Sequence, residues 1–234
     1  MSKDKLLVSF DWAAKQMPQN KANCEVVEGF LSELLGRDVK IINVLENENP
    51  EDGYDRIDVV IDDYEMKEVS LVEMYFSVEE DCFSRMVYGV SKAVADNVSE
   101  DDFLFLKIQK VYAINIIFDI EMKENEDYIY HCQTLFEEAH TQEKMTLSYG
   151  QRKLFNKNNP EDIYPEYYIL IVNNFHDIVK SKLDEWAYFL KNNQIKEEFS
   201  AKGLLKAREI LDFDKLSQEE KAEYEASESA RRAT

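Results

Sequence analysis

Proline and glycine are scarce in this chain of 234 residues, at 4 and 6. A Gly-rich phosphate cradle, a dinucleotide fingerprint and a Pro- or Gly-rich linker are thereby excluded. Cysteine is equally rare, with Cys24, Cys82 and Cys132 scattered and odd in number. With 3 His and no CxxC pair, a disulfide framework and a structural zinc site are both excluded, and reduced thiols of a cytoplasmic protein are expected. No apolar run approaches the roughly 20 residues of a membrane span, and the opening MSKDKLLVSFDW has no secretory layout. Positive charge is the last shortage. Lys and Arg number 28 against 48 Asp and Glu, a formal net charge of −20. Nucleic-acid binders usually gather cations on one face. Here the basic clusters are Arg152-Lys153 with Lys157, and the terminal Arg231-Arg232. The same surplus suits an acidic surface that meets a basic protein partner or imitates nucleic acid.

What is present is a globular composition, 44% hydrophobic and 12% aromatic, enough for one sizeable core. Apolar spacing predicts a short helix within 4–17, stopped at Pro18, and a second helix capped by Asn23 and closed at Gly36. Val39 to Leu45 reads as a strand. Arg56 to Ile61 and Val69 to Phe76 read as two more, joined by the acidic segment 62–68. Ser77 with Glu80 forms a capping box for a helix to about Asn97, with Phe83, Met86, Val87, Val90 and Val94 inward. Lys110 to Ile120 is the next strand. Tyr128–Glu137 and Lys144–Tyr149 then read as a strand pair, and Pro165–Phe175 as a further strand. Ser181 opens a helix to about Asn192, another covers roughly 200–211, and Ser217 with Glu220 caps an acidic last helix.

Both strands of the 56–76 pair are apolar on both sides, as in a sheet covered on both faces. Yet each carries one carboxylate: Asp58 among Ile57, Val59 and Val60, and Glu73 among Leu71, Val72, Met74 and Tyr75. A buried carboxylate needs a cation, a hydrogen-bonding shell or an opening to solvent. Two of them on neighbouring strands are a seat for a hard divalent cation.

Asp on one strand, a hairpin, then Glu-x-Lys or Glu-x-Gln on the next resembles the active-site layout of PD-(D/E)XK nucleases. Arg56-Ile57-Asp58-Val59 and Val72-Glu73-Met74 resemble the RLDV and IEMQ segments of the recombination-promoting nuclease and transposase-like branch. The pieces LDEWAYFLKN, GLLKAREIL and LSQEEKAEYE resemble its C-terminal half, so the likeness spans nearly the whole chain. It implies an α/β (α+β) fold with a restriction-endonuclease-like core, helix-strand-strand-strand-helix-strand. A core at 20–120, a β extension at 121–176 and a helical tail at 177–226 would form a single domain, with 227–234 disordered. It also implies a Mg²⁺- or Mn²⁺-dependent DNA endonuclease, acting as a homodimer.

By the same resemblance, Asp58 and Glu73 are metal ligands, with the Met74 carbonyl as a further one. The chain departs from the pattern at Tyr75, which stands where the family has Lys or Gln. Tyr75 shares a face with Glu73 and can hold a water through its hydroxyl, but it supplies no positive charge. Lys92 on the following helix is the candidate replacement, against a plain solvated residue. The other reading is a catalytically degenerate member that binds a protein partner through its acidic surface, in regulation, defence or counter-defence. Glu25 and Glu28 are read as solvated flank residues of the second helix. His131, Cys132 and His140 are read as surface or strand residues.

Overall fold

The structure, a computed structural model, describes residues 7–18, 20–45, 56–63, 68–77, 81–96, 110–118 and 127–231. The chain divides into two compact units, residues 1–44 with 175–234, and residues 45–174.

The first unit is helical. It holds α1 (Phe10–Lys15), α2 (Ala22–Leu35), nearly all of β1 (Val39–Leu45), α5 (Lys182–Asn192), α6 (Leu204–Ile210) and α7 (Gln218–Arg231). Its core is aromatic. Phe10, Phe30 and Trp186 meet edge to face with centroids 5.0 to 5.7 Å apart, and Trp186 lies 5.9 Å from Phe189. Such pairs add to plain burial because ring edges are positive and ring faces negative. α2 and α6 approach closely where Gly29 meets Gly203, and a Cβ on Gly29 would overlap the Lys202 carbonyl. Gly203 itself has φ +83°, which a side chain would strain.

Local signals set most of the helix ends. The Ser181 hydroxyl accepts from the Asp184 N–H while Asp184 accepts from the Ser181 N–H, and Ser217 and Glu220 repeat the box. Gly36 closes α2 at φ 68°. Asn23, expected as the cap of α2, instead lies inside its first turn and donates to the Ala13 carbonyl at 2.9 Å. The tail expected to be disordered from 227 is helical to 231, because α7 continues that far. Ser77 ends β3, and Glu80 of the expected Ser77–Glu80 box falls outside the described residues.

The second unit carries the mixed sheet. β2 (Arg56–Asp63), β3 (Glu68–Ser77), β4 (Lys110–Ile117), β6 (Glu166–Ile171) and β5 (Ile129–Cys132) lie side by side in the order β2-β3-β4-β6-β5. β2–β3 and β5–β6 are antiparallel; β3–β4 and β4–β6 are parallel. α3 (Cys82–Asp96) connects β3 to β4 and lays Met86, Val90 and Ala93 on Leu71, Tyr75, Val111 and Ala113. The chain order α2-β1-β2-β3-α3-β4 is the expected helix-strand-strand-strand-helix-strand.

Two expectations are corrected in this unit. Phe83 and Val87, read as inward on α3, are 66% and 59% exposed. The buried row is Cys82, Met86 and Val90, at helical i, i+4 spacing. The strand pair read at 128–149 is a single bridge, Glu137 to Lys144, since β5 pairs with β6 instead. Residues 149–155 form a helix, α4 (Tyr149–Phe155), begun by a Ser148–Gln151 capping box.

Candidate active site

β2 and β3 pair so that Asp58 stands directly opposite Glu73, and Arg56 directly opposite Tyr75. Residues two apart on a strand share a face. The register therefore gathers these four side chains into one square on the face that α3 covers. Asp58 is 6% exposed, Glu73 1% and Tyr75 3%.

The square is closed by hydrogen bonds. Arg56 Nη2 donates to Asp58 Oδ2 at 2.7 Å, and Arg56 Nη1 lies 3.6 Å from Glu73 Oε1. The Tyr75 hydroxyl donates to Glu73 Oε2 at 2.9 Å. The Arg56 guanidinium also sits 5.9 Å from the Tyr75 ring centroid. One carboxylate oxygen, Asp58 Oδ1, is buried and has no protein partner. On the same face, Asn115 lies beside Tyr75 in the β3–β4 register, fully buried, with neither amide atom bonded to protein.

Gly89 of α3 makes room for this arrangement. A Cβ at that position would overlap the Tyr75 hydroxyl and stand 3.1 Å from Glu73 Oε2. The tyrosine tip thus occupies the space that any larger residue on α3 would fill.

The electrostatics follow from crowding two acids in a buried place. Burial, and then Asp58, push the Glu73 pKa up from 4.5 to about 7. Burial raises Asp58 as well, against the pull of Arg56. Tyr75 is held far above its ordinary range, by burial and then by Glu73, so it stays a neutral donor. Burial opposes the charge of Arg56, but Asp58 and Glu73 outweigh it and hold the guanidinium protonated.

The structure thus brings Asp58, Glu73 and Tyr75 together. Lys92 pulls on both carboxylates electrostatically but forms no ion pair with either. The Met74 side chain faces the other side of the sheet, paired with Ile57 and Ile114. Glu28 accepts the Ile41 N–H at 2.9 Å within the helical unit. Among the described residues, no group of three or more His, Cys, Asp and Glu side chains is arranged around a metal. Two opposed carboxylates with a free oxygen do fit a hard cation that keeps most of its waters. Arg56 and Gly89 are the residues that reasoning from sequence passed over as parts of the site. Arg56 precedes Asp58 by two on one strand and so shares its face, which was the available signal.

A second buried network lies on the opposite face. Lys110 Nζ meets Glu166 Oε1 at 2.8 Å and donates to the carbonyls of Glu161 and Tyr164. Glu166 Oε2 contacts His131 Nε2 at 3.0 Å and accepts from the Tyr168 hydroxyl at 3.2 Å. His131 stacks on Tyr168 with centroids 4.3 Å apart. Burial works against the Glu166 charge, yet Lys110 holds its pKa below the usual value. His131 is therefore a strand residue, as expected, with a carboxylate partner that no local spacing announced.

A family model described as PD-(D/E)XK nuclease family transposase matches residues 8–233. No curated protein and no solved structure matches the chain.

Proposed function

The chain belongs to the PD-(D/E)XK nuclease family transposases, and from that premise we propose that the Asp58–Glu73 pair is the centre of a Mg²⁺- or Mn²⁺-dependent DNA endonuclease. The observation that carries this reading is the buried, directly opposed carboxylate pair with Asp58 Oδ1 left unbonded. Asp58 and Glu73 would hold the cation, which when bound lowers the pKa of a water and offsets charge on the scissile phosphate. Arg56 supplies the positive charge that Tyr75 lacks. It already touches Asp58 and belongs to the same strand face, and a guanidinium binds phosphate oxygens in a two-pronged way. Tyr75 offers its hydroxyl as a neutral donor and, bonded to Glu73, orients that carboxylate. Lys92 adds long-range positive potential. With a neutral residue in the third position, activity below that of a lysine-bearing site follows.

The test is cleavage of plasmid and linear DNA with Mg²⁺ or Mn²⁺, in wild type and in Asp58→Asn and Glu73→Gln. Cutting by the wild type and inert variants support the reading. It fails if the wild type is inert in both metals and calorimetry finds no Mn²⁺ binding lost in the variants. One observation favours the second reading, a degenerate site with a protein partner: the Tyr75 tip is lodged against Gly89 and bonded to Glu73. An inert wild type whose Tyr75→Lys variant also stays inert would support it.

A further inference from the structure

The segment 144–159, KMTLSYGQRKLFNKNN, stands apart from the rest of the chain in charge. It holds four of the 28 basic residues and no acidic one, so the remaining 24 cations face all 48 acids. Lys144 is offset by Glu137 directly opposite it across the β-bridge. That leaves Arg152 and Lys153, the two cations of α4.

α4 presents two unlike faces. Positions i, i+3 and i+4 lie together on a helix, which groups Tyr149 with Arg152 and Lys153. Gln151 and Phe155, on the other side, line an apolar cavity of about 500 Å³ together with Val94, Leu147, Ile163 and Tyr164. The outward face is bare. Tyr149 is 78% exposed, Arg152 and Lys153 are exposed, and neither cation has an ion-pair partner among the described residues. No residue of α4 is buried. Seven residues are too few for a helix to persist on propensity, so its Ser148–Gln151 box holds it. A large aromatic set in water between two cations contributes nothing to the core. It fits a ligand that brings both anions and flat apolar faces.

We propose that the Tyr149–Arg152–Lys153 face of α4 is a binding surface for single-stranded DNA. Phosphates would lie on the cations while an unpaired base stacks on Tyr149, the combination that single-strand binders use. A duplex keeps its bases stacked on each other and gives Tyr149 nothing to cover. The proposal goes beyond the carboxylate site and does not depend on whether that site cuts.

The experiment is fluorescence anisotropy of the full chain in EDTA, with labelled oligothymidylate and, separately, a labelled duplex, over a series of salt concentrations. The Arg152→Gln/Lys153→Gln variant should bind the single strand at least about tenfold more weakly and lower the log–log salt slope by about 1.4, two contacts at roughly 0.7 each. Tyr149→Ala should weaken the single strand about tenfold and leave the duplex unchanged, while Tyr149→Phe should bind as wild type does, since the stacking face remains. Lys206→Gln in the helical unit controls for the loss of a single cation elsewhere on the chain. Thermal melting should be unaltered in the α4 variants, because no side chain of that helix is buried. The proposal is overturned if the double variant binds like the wild type or no worse than Lys206→Gln. It is also overturned if Tyr149→Ala affects duplex and single strand alike, or if the chain binds acidic phospholipid vesicles but no DNA. Binding in EDTA, with no cleavage in Mg²⁺ or Mn²⁺ and no Mn²⁺ binding lost in Asp58→Asn and Glu73→Gln, would overturn the endonuclease and leave this surface standing.

Discussion

Gly89→Ala tests whether the candidate site is closed by Tyr75. Glycine inside a helix normally costs about 1 kcal/mol relative to alanine, so the change should stabilise α3 by about that much. At this position the new Cβ would overlap the Tyr75 hydroxyl, whose ring is packed among Leu71, Met86 and Val90 and cannot simply slide aside. Overpacking of that kind costs about 1–3 kcal/mol. Driving the hydroxyl off Glu73 forfeits a hydrogen bond to a carboxyl worth about 1.5 kcal/mol. The net result is a loss of about 2 kcal/mol in the wild-type background. In Tyr75→Phe the overlapping atom is gone. The nearest remaining neighbours of the Cβ are the ring Cζ and Glu73 Oε2, both at 3.1 Å, and a shift of a few tenths of an ångström accommodates them. There Gly89→Ala should be neutral or stabilising by up to about 1 kcal/mol. The coupling between the two changes is then about 2–3 kcal/mol, read from urea unfolding of the four proteins of the cycle. If Gly89→Ala has the same effect in both backgrounds, Tyr75 does not occupy the space under α3 and the account of the site is wrong.

The pH dependence of the metal-free protein has a definite sign. Glu73 titrates near 7 when folded, against the ordinary 4.5 of a glutamate in an unfolded chain. The folded state therefore binds more protons than the unfolded one between those pH values. Its contribution is fully present below about pH 4.5 and is lost as pH rises through 7, by roughly 3 kcal/mol in all. Carbon NMR of labelled Glu73 checks the midpoint, which should fall in Asp58→Asn as the second-largest cause of the shift is removed; an unchanged midpoint would refute that assignment. Lys110→Met should cost about 3 kcal/mol in urea unfolding, because Glu166 and two carbonyls lose their buried partner, and adding Glu166→Gln should recover part of it. Ser181→Ala should lower stability by about 1 kcal/mol through loss of the α5 cap, and Ser181→Asp should restore it. Trp186→Ala should remove about 3–5 kcal/mol, since the ring is fully buried against Phe10 and Phe30.

Much of the fold was legible because its signals are local. Alternation and β-branched runs placed β1, β2, β3 and β4, and their order with the flanking helices led to the α/β core. Serine followed three residues later by an acid or amide located the starts of α5 and α7. The same signal was present at Ser148 and Gln151, where a strand reading of 144–149 overrode it. The inward face of α3 was misjudged because Phe83 and Val87 are more hydrophobic than Cys82 and Gly89. Which helical row is buried depends on what lies beneath it, and beneath α3 lie Leu71, Tyr75 and Ala113. The β5 pairing failed for a related reason. A strand chooses its neighbour by register over the whole sheet, and β6 offered four facing residues where 144–149 offered one bridge.

Two carboxylates in apolar strands side by side, and a neutral tyrosine where a cation is usual, are legible in the order of residues alone. Strand periodicity and residue chemistry suffice for both. The wiring of that square comes from packing in three dimensions. Arg56 reaches both acids, Tyr75 turns its hydroxyl onto Glu73, and Gly89 leaves the space for it. Hydrogen bonds select among side chains by distance in space. The β2–β3 register brings together residues 15 and 19 apart in sequence, and the docking of α3 brings in a third segment. Lys110 and Glu166 meet in the same way across parallel strands. No window of sequence contains these pairs; the packed sheet does.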